Sequence, residues 1–190
     1  MTIDTFPGLS SPRLKIRRFD DADVSAFLAY RNDAEVARFQ SWNCCSEEEA
    51  REFIEEMKIL PCGQPGKGLQ LAIEMTETES LIGDCYLEVD SREPRQAEIG
   101  FTLSRPYQKQ GFATEAIAAV VGYAFHDLDV HRIVGRADTR NIASAALMER
   151  LGMRREGHHL QSYWFKGEWT DEYLYAILKD EWLKKNGGAA

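Results

Sequence analysis

The chain has 190 residues, of which 44% are hydrophobic and 28% are charged, a composition typical of a globular domain that argues against wholesale disorder and a coiled coil. Its 31 acidic and 23 basic residues give a net charge of −8, which argues against a general nucleic-acid-binding protein and against a surface that adheres to anionic lipid. No segment approaches the roughly 20 apolar residues that span a bilayer, and the N-terminus lacks the pattern of a signal peptide, so we expect a cytoplasmic protein.

In the first half of the chain, simple periodic patterns of apolar residues predict the helices and strands. Leu14 and Ile16 alternate with basic residues, which is typical of a strand. Ser46 and Glu49 have the spacing of a capping box, and the apolar residues that follow them recur on one helical face. The predicted elements are a strand at 13–19, a helix from Asp20 or Asp21 to about Asn32, a helix from Ser46, a loop at 61–68 and two antiparallel strands at 69–75 and 81–89.

The second half alternates strands and helices before a final hairpin. Gly152 is a favourable residue just beyond the end of a helix. The predicted elements are a strand at 96–103, a helix at 110–126, a strand at 131–137, a helix at 141–151 and two strands at 154–166 and 171–179. The chain thus predicts an α/β (α+β) fold, with one domain over residues 1–190 and helices packed on a mixed sheet.

The cysteines and histidines show none of the spacings that hold a metal. No CxxC pair and no HExxH motif occurs, so we expect no catalytic metal and no thioredoxin-like chemistry. Cys44 and Cys45 are adjacent and rarely bridge each other, which favours free thiols in a reduced cytosol. Cys85 is an implausible acyl carrier because nothing in the sequence places a histidine beside it.

The most informative segment is EIGFTLSRPYQKQGFATEA, from Glu98 to Ala116, where a strand runs through a short loop into a helix. The first turn of a helix has N–H groups without partners and carries partial positive charge, so this junction can bind an anion without a lysine. Gly111 allows close approach there, and Ala113 is small enough not to block a diphosphate. A plain strand-to-helix turn stays open as the alternative. Neither GxxxxGK[ST] nor a GxGxxG motif after a strand is present.

The sequence resembles the GNAT superfamily of acetyl-CoA-dependent N-acetyltransferases, and more closely the branch that includes the ribosomal-protein N-terminal acetyltransferases. The resemblance covers about residues 11–183, and its strength lies in the order and spacing of four weak motifs. These are PRLKIRRFDDADVSAFLAYRND, EIGFTLSRPYQKQGFATEA, NIASAALMERLGMRREG and GEWTDEYLYAILKDEW. The resemblance implies a single-domain fold with a mixed, mostly antiparallel sheet, in which a bulge splays two strands apart at the cofactor site.

The resemblance also implies positions for the cofactor. The edge backbone of Phe101, Thr102 and Leu103 matches the strand that pairs with the pantetheine arm. Asn141 and Ser144 match the NxxS positions, where Asn141 can cap its helix as well as contact pantetheine and Ser144 can support the departing thiolate. The loop that matches the pyrophosphate-binding segment comprises Gln108, Lys109, Gln110, Gly111, Phe112, Ala113 and Thr114.

The catalytic groups are less firmly implied. Many members of the family carry a tyrosine as general acid where this chain has Met148, so that role falls to Ser144, to water or to no group. Glu98 is the leading candidate for the base that takes the amine proton, acting through water, and Asp171 is a weaker one. Trp42, with Cys44 and Cys45, lies where this family often builds its substrate wall.

The implied reaction is direct transfer of acetyl from acetyl-CoA to a primary amine, and one option for the acceptor is a protein N-terminal α-amine. Two alternatives remain at this point: acetylation of a small amine such as an aminoglycoside or polyamine, and a CoA-binding module without turnover. We expect a monomer or homodimer that binds no nucleic acid or membrane. One or two aromatic rings of the last hairpin could line the acceptor cleft, but alternation along the strands does not say which.

Overall fold

The structure is a computed structural model that describes residues 6–42 and 45–186. Within these ranges it contains eight strands and six helices, with short 3-10 turns at Asp21–Asp23 and Arg105–Tyr107. The strands are β1 (Leu9–Ser10), β2 (Leu14–Arg17), β3 (Leu69–Met75), β4 (Leu81–Val89), β5 (Gln96–Leu103), β6 (Arg132–Asp138), β7 (Arg154–Phe165) and β8 (Glu168–Leu178). The helices are α1 (Val24–Arg31), α2 (Ala34–Ala37), α3 (Glu47–Ile59), α4 (Phe112–His126), α5 (Ile142–Leu151) and α6 (Lys179–Asn186). No helix in the described ranges is long and apolar enough to cross a bilayer.

The eight strands of the described residues form one sheet in the order β1-β2-β3-β4-β5-β6-β8-β7. Neighbouring strands are antiparallel except β5 and β6, which run parallel because α4 provides the crossover between them. The predicted mixed, mostly antiparallel sheet flanked by helices is confirmed.

Helices cover both faces of this sheet. The Tyr30 hydroxyl of α1 donates a hydrogen bond to Asp84 of β4 at 2.5 Å, which places α1 on the face to which Asp84 points. The strand register puts Glu98 of β5 on that same face. It puts Gly135 of β6 on the opposite face, where that residue lies against Met148 of α5. The sheet therefore separates the α1 side from the α5 side of the molecule.

Most of the predicted elements are confirmed, including the capping box, in which Ser46 Oγ accepts from the Glu49 N–H at 3.2 Å and Glu49 accepts from the Ser46 N–H at 2.7 Å. Three features are not predicted: β1, α2 and α6. They are short, and α6 buries only Trp182, so none of them produces a periodic apolar pattern. The predicted strand at 171–179 is wrong at both ends, because β8 spans Glu168–Leu178 and Lys179 begins α6.

Candidate functional site

The sheet splits between β5 and β6. The two strands pair only through Gln96–Glu98 and residues 132–134, and the pairing stops there although both strands continue. The register of β5 with β4 runs without interruption from Ala97 to Leu103, so the bulge in β5 that the resemblance implies is absent. The divergence of β6 opens the sheet instead.

Two connected openings lie at this split. The split cavity, of about 150 Å³, is bounded by β5, β6, the start of α5 and the β7–β8 hairpin. The wide cleft, of about 860 Å³, lies on the α1 side and includes Arg31, Trp42, Tyr86 and Glu98 in its walls. The residues that line both openings mark where they join: Phe39, Gln40, Ile99, Gly100, Phe101, Arg136, Tyr163, Phe165 and Glu172.

Glutamine side chains occupy part of the β5 edge that faces the split. Gln40 Nε2 donates to the Phe101 carbonyl at 3.2 Å, and Gln108 Nε2 donates to the Leu103 carbonyl at 2.9 Å. Thr102, between them, lies opposite Asp84 of β4 and is buried. All three residues proposed to pair with pantetheine lie in register with β4, and Phe101 and Leu103 present their carbonyls to the split.

The backbone of the loop before α4 has a conformation that suits anion binding. Gly111 adopts φ +85°, which is left-handed backbone that favours glycine, and Lys109 adopts φ +61°. The first backbone bond of α4 runs from the Glu115 N–H to the Gly111 carbonyl at 3.0 Å. No acceptor is found within residues 6–42 and 45–186 for the N–H groups of 109–114. These donors and the positive end of α4 suit a diphosphate, although the Phe112 side chain is buried and offers only its backbone.

Arg13, from the segment before β2, braces this loop. Its Nη1 donates to the Gln110 carbonyl at 3.2 Å, its Nε donates to Glu115 at 2.7 Å, and its guanidinium carbon lies 4.3 Å from the centre of the Phe112 ring. Sequence reasoning misses this contact because nothing in either segment signals the other.

The start of α5 faces the split cavity. Asn141 caps the helix by accepting from the Ser144 N–H at 3.1 Å, as the residue types predict. Ser144 is 8% exposed and lines the split cavity, and its hydroxyl has no hydrogen-bond partner among the described residues. Met148, one turn further, is 1% exposed and also lines the cavity, so a nonpolar thioether takes the place of the family's tyrosine.

Glu98 is the last residue of β5 that pairs with β6, and it lines the wide cleft. Its carboxylate Oε2 is 3.7 Å from Nε of Arg136, and its side chain is 41% exposed. Burial raises the pKa of Glu98 above the usual value for a glutamate, and the charge of Arg136 opposes that rise. A carboxylate with a raised pKa beside a cleft suits a proton acceptor.

Asp171, the weaker candidate for the base, serves the last hairpin. Its carboxylate accepts from the Gln161 N–H at 2.8 Å and lies 3.5 Å from Nε2 of His158. It lines neither the split cavity nor the wide cleft, whereas its neighbour Glu172 lines both. The sequence pattern gives no reason to single out Glu172.

Other walls of the wide cleft come from α1 and the last hairpin. The Trp42 ring stacks on the Arg31 guanidinium at 3.5 Å and lines the wide cleft, and its role in a substrate wall stays a prediction. Cys45 is partly buried, and Cys44 lies outside the described residues. Among the hairpin aromatics, Tyr163 and Phe165 line both openings.

Comparison with known proteins identifies the family. Residues 13–154 match the family described as acetyltransferase (GNAT) domain. The chain is 32% identical over 174 residues to the uncharacterized N-acetyltransferase YnaD of Bacillus subtilis, which covers 92% of this chain and 98% of YnaD. The crystal structure of a GNAT-family acetyltransferase from Bacillus anthracis is similar with a TM-score of 0.80 and 29% identity, over 91% of this chain and 99% of that one.

A shorter match, 29% identical over 84 residues, is to the [ribosomal protein uS5]-alanine N-acetyltransferase of Escherichia coli and covers 44% of this chain and 43% of that enzyme. The chain belongs to the GNAT family. It is an acetyltransferase.

Proposed function

We propose that this protein transfers acetyl directly from acetyl-CoA to a primary amine, within one N-acetyltransferase domain that works in the cytoplasm. The observation that carries the proposal is the junction of two openings at the β5–β6 split. The split cavity contains Ser144 and the free edge of β5, while the wide cleft contains Glu98. A thioester and an amine that enter from opposite faces of the sheet can therefore meet there without a covalent enzyme intermediate.

The described residues fit the cofactor. The N–H groups of 109–114 and the positive end of α4 suit the diphosphate, and the backbone groups of the β5 edge that neither β6 nor a glutamine side chain occupies suit an amide-containing arm. Acetyl-CoA supplies an activated acetyl group on a thiol that leaves readily. In this proposal Ser144, which lines the split cavity, donates a hydrogen bond to the departing thiolate.

The acceptor must attack as a neutral amine. An α-amino group has a pKa of about 8 and a lysine side chain one of about 10.4, so near pH 7 each carries a proton that has to leave. Glu98 takes that proton through water in this proposal, and its raised pKa brings the carboxylate closer to the operating pH.

A protein N-terminal α-amine is the acceptor class that the Escherichia coli relative's name supports. A small polyamine is the second candidate, because Glu98 and Glu172 both line the wide cleft and their carboxylates would attract a second ammonium group.

The test is release of free CoA thiol from acetyl-CoA with a panel of N-terminal peptides, aminoglycosides and polyamines, followed by mass spectrometry of each amine. We expect acetyl-CoA-dependent addition of one acetyl group to at least one acceptor class. Binding of CoA without turnover of any amine would contradict the proposal and favour a CoA-binding module.

A further inference from the structure

Gln40 lies where the split cavity joins the wide cleft and is held there by two hydrogen bonds. Its own N–H donates to the Ala37 carbonyl at 3.0 Å, and the same carbonyl accepts from Lys166 Nζ of the β7–β8 turn at 2.7 Å. Its side-chain Nε2 donates to the Phe101 carbonyl on the free edge of β5 at 3.2 Å. The β5 edge therefore fixes the side-chain amide of Gln40, and Lys166 supports the backbone turn that carries it.

The side-chain hydrogen bond of Gln40 uses only the nitrogen of its amide, Nε2, as a donor. An amide group has two N–H donors at nitrogen and an acceptor oxygen, and the oxygen lies on the same rigid plane. Since Nε2 is bonded to the Phe101 carbonyl, Oε1 must lie beside the same stretch of β5. No donor to Oε1 is found within the described residues. Gln40 is half-buried, so Oε1 is open to a donor on an amine that enters the openings this residue lines.

We propose that Gln40 Oε1 accepts a hydrogen bond from the acceptor amine and thereby aims its lone pair at the thioester, an inference that rests on the proposed function. A neutral primary amine has two N–H groups and one lone pair. When one N–H points toward the water held by Glu98 and the other toward Gln40, rotation about the C–N bond is fixed and the lone pair faces the split cavity. Such orientation lowers the barrier without any change in acid–base chemistry.

The reaction step stays balanced with Gln40 as a positioning residue. The amine nitrogen forms a bond to the acetyl carbon, and the carbon–sulfur bond breaks with its electron pair on sulfur. One amine proton leaves through water toward Glu98, and the thiolate takes up a proton from solvent. Gln40 neither gains nor loses a proton, so its removal should leave the shape of the pH profile unchanged.

The experiment compares a primary amine with its N-methyl analogue, which keeps the lone pair but has one N–H fewer. The acceptor is the best amine from the screen, and kcat/KM is measured for both amines with wild type and with Gln40→Met, which keeps side-chain length but has no acceptor oxygen. We expect the substitution to lower kcat/KM for the primary amine about 5- to 10-fold, mainly through kcat, consistent with one hydrogen bond. The N-methyl amine should lose less than 2-fold, so the preference for the primary amine falls.

Lys166→Met is the matched control, since it loosens the same segment but leaves the Gln40 amide in place. It should change the rates of both amines by the same factor. If Gln40→Met also lowers both rates equally, or shifts CoA affinity more than 3-fold, Gln40 has a structural or cofactor role and the inference is overturned. Gln40→Ala gives a second variant should Gln40→Met not fold. Failure of wild type to acetylate any amine would instead overturn the proposed function itself.

Discussion

Arg136 reaches from β6 toward β5 at the point where the strands part, and its Nε lies 3.7 Å from Oε2 of Glu98. Burial raises the pKa of Glu98, and the guanidinium holds that rise back. A base can accept a proton only when it is deprotonated. In the proposed mechanism Arg136 therefore sets the pH below which the base is lost.

Replacing Arg136 with Met should move the acidic limb of the kcat/KM profile to higher pH. The sign follows from the raised pKa: without the cation, burial of Glu98 is less opposed, so its base form is lost at a higher pH than in wild type. The measurement is kcat/KM between pH 5 and 9 with the best acceptor. Arg95→Met, which removes a surface arginine paired with Glu93, should leave the limb in place.

Glu98→Gln should lower kcat/KM near pH 7 by about 100-fold, at the lower end of what a positioned base contributes. The loss should shrink as rising pH deprotonates the amine without help, from about pH 8 for an α-amine and nearer pH 10 for an alkyl amine. A loss of constant size at every pH would mean that Glu98 positions the acceptor, and an unchanged profile would remove Glu98 from the mechanism.

Ser144→Ala should lower kcat by about 2- to 10-fold and leave CoA affinity within a few fold, because one neutral hydrogen bond contributes about 0.5–1.5 kcal/mol. Ser144 lines the split cavity, and its backbone N–H, which Asn141 needs for the cap, survives the substitution. Ser80→Ala in the exposed β3–β4 turn is the control. Turnover at the wild-type rate would mean that the thiolate leaves without Ser144.

Local signals account for what the sequence predicts well. The Ser46–Glu49 capping box and the Asn141 cap each depend on residues three apart, and the Gly111 loop depends on one short segment. Such features depend only on residues a few positions apart in the chain, so they can be predicted from a single sequence.

The remaining site features depend on contacts between distant segments. Gln40 and Phe101 are 61 residues apart, and Arg13 and Glu115 are 102 apart. The split itself depends on where β6 diverges from β5. The β5 strand has no bulge at that point, so its sequence contains no local signal for the split. No local pattern distinguishes Glu172 from its neighbours, and only the fold brings it to the cleft.

Gly111→Val should abolish stabilisation by the cofactor. In wild type, acetyl-CoA at about 100 times its Kd should add about 2.7 kcal/mol to the free energy of unfolding. A branched side chain at φ +85° strains the loop, and its Cβ would lie 3.4 Å from Nη2 of Arg13, which braces the loop. Gly167→Val is the matched control, because Gly167 has φ +91° in the distant β7–β8 turn. Melting with and without acetyl-CoA should show a lost shift only for the Gly111 variant; equal shifts in wild type and that variant would contradict the diphosphate assignment.

Arg17→Met should destabilise the fold by about 3 kcal/mol near pH 7, because it leaves two buried carboxylates without their shared cation. Arg17 Nη1 lies 2.7 Å from Asp23 and its Nε 2.5 Å from Glu74. Burial acts to raise the pKa of Glu74, but the bonds from Arg17 and Lys15 outweigh it and lower that pKa. In wild type, ionised Glu74 therefore stabilises the folded state at pH values above the pKa that Glu74 has in the unfolded chain. This stabilisation is lost as the pH falls through the lower pKa of Glu74 in the folded state.

In the Arg17 variant only Lys15 still lowers the pKa of Glu74, so burial is less opposed and protonation of Glu74 costs the folded state less than in wild type. The difference in unfolding free energy between wild type and variant should therefore shrink from pH 7 to pH 4. Urea unfolding at both pH values measures it, with Lys15→Met as a control that removes only an exposed partner at 3.2 Å. A difference that is constant with pH would show that the loss comes from packing alone.

Met148→Tyr should not restore a general acid, although it recreates the residue type that many family members carry there. Met148 is 1% exposed, and a Cβ on Gly135 would lie 2.7 Å from its sulfur, so β6 and α5 approach closely at this point. A larger, rigid ring overfills that contact and should cost about 1–3 kcal/mol, which lowers Tm by several degrees for a chain of this length. The ring would be displaced from the Gly135 contact toward the split cavity, where it competes with the thioester for space. We therefore expect kcat at or below the wild-type value, while Met148→Leu, which conserves volume, should keep both Tm and kcat close to wild type. A rise in kcat with Met148→Tyr, together with a new basic limb in the pH profile from the phenol, would show instead that proton donation to the thiolate limits the wild-type enzyme.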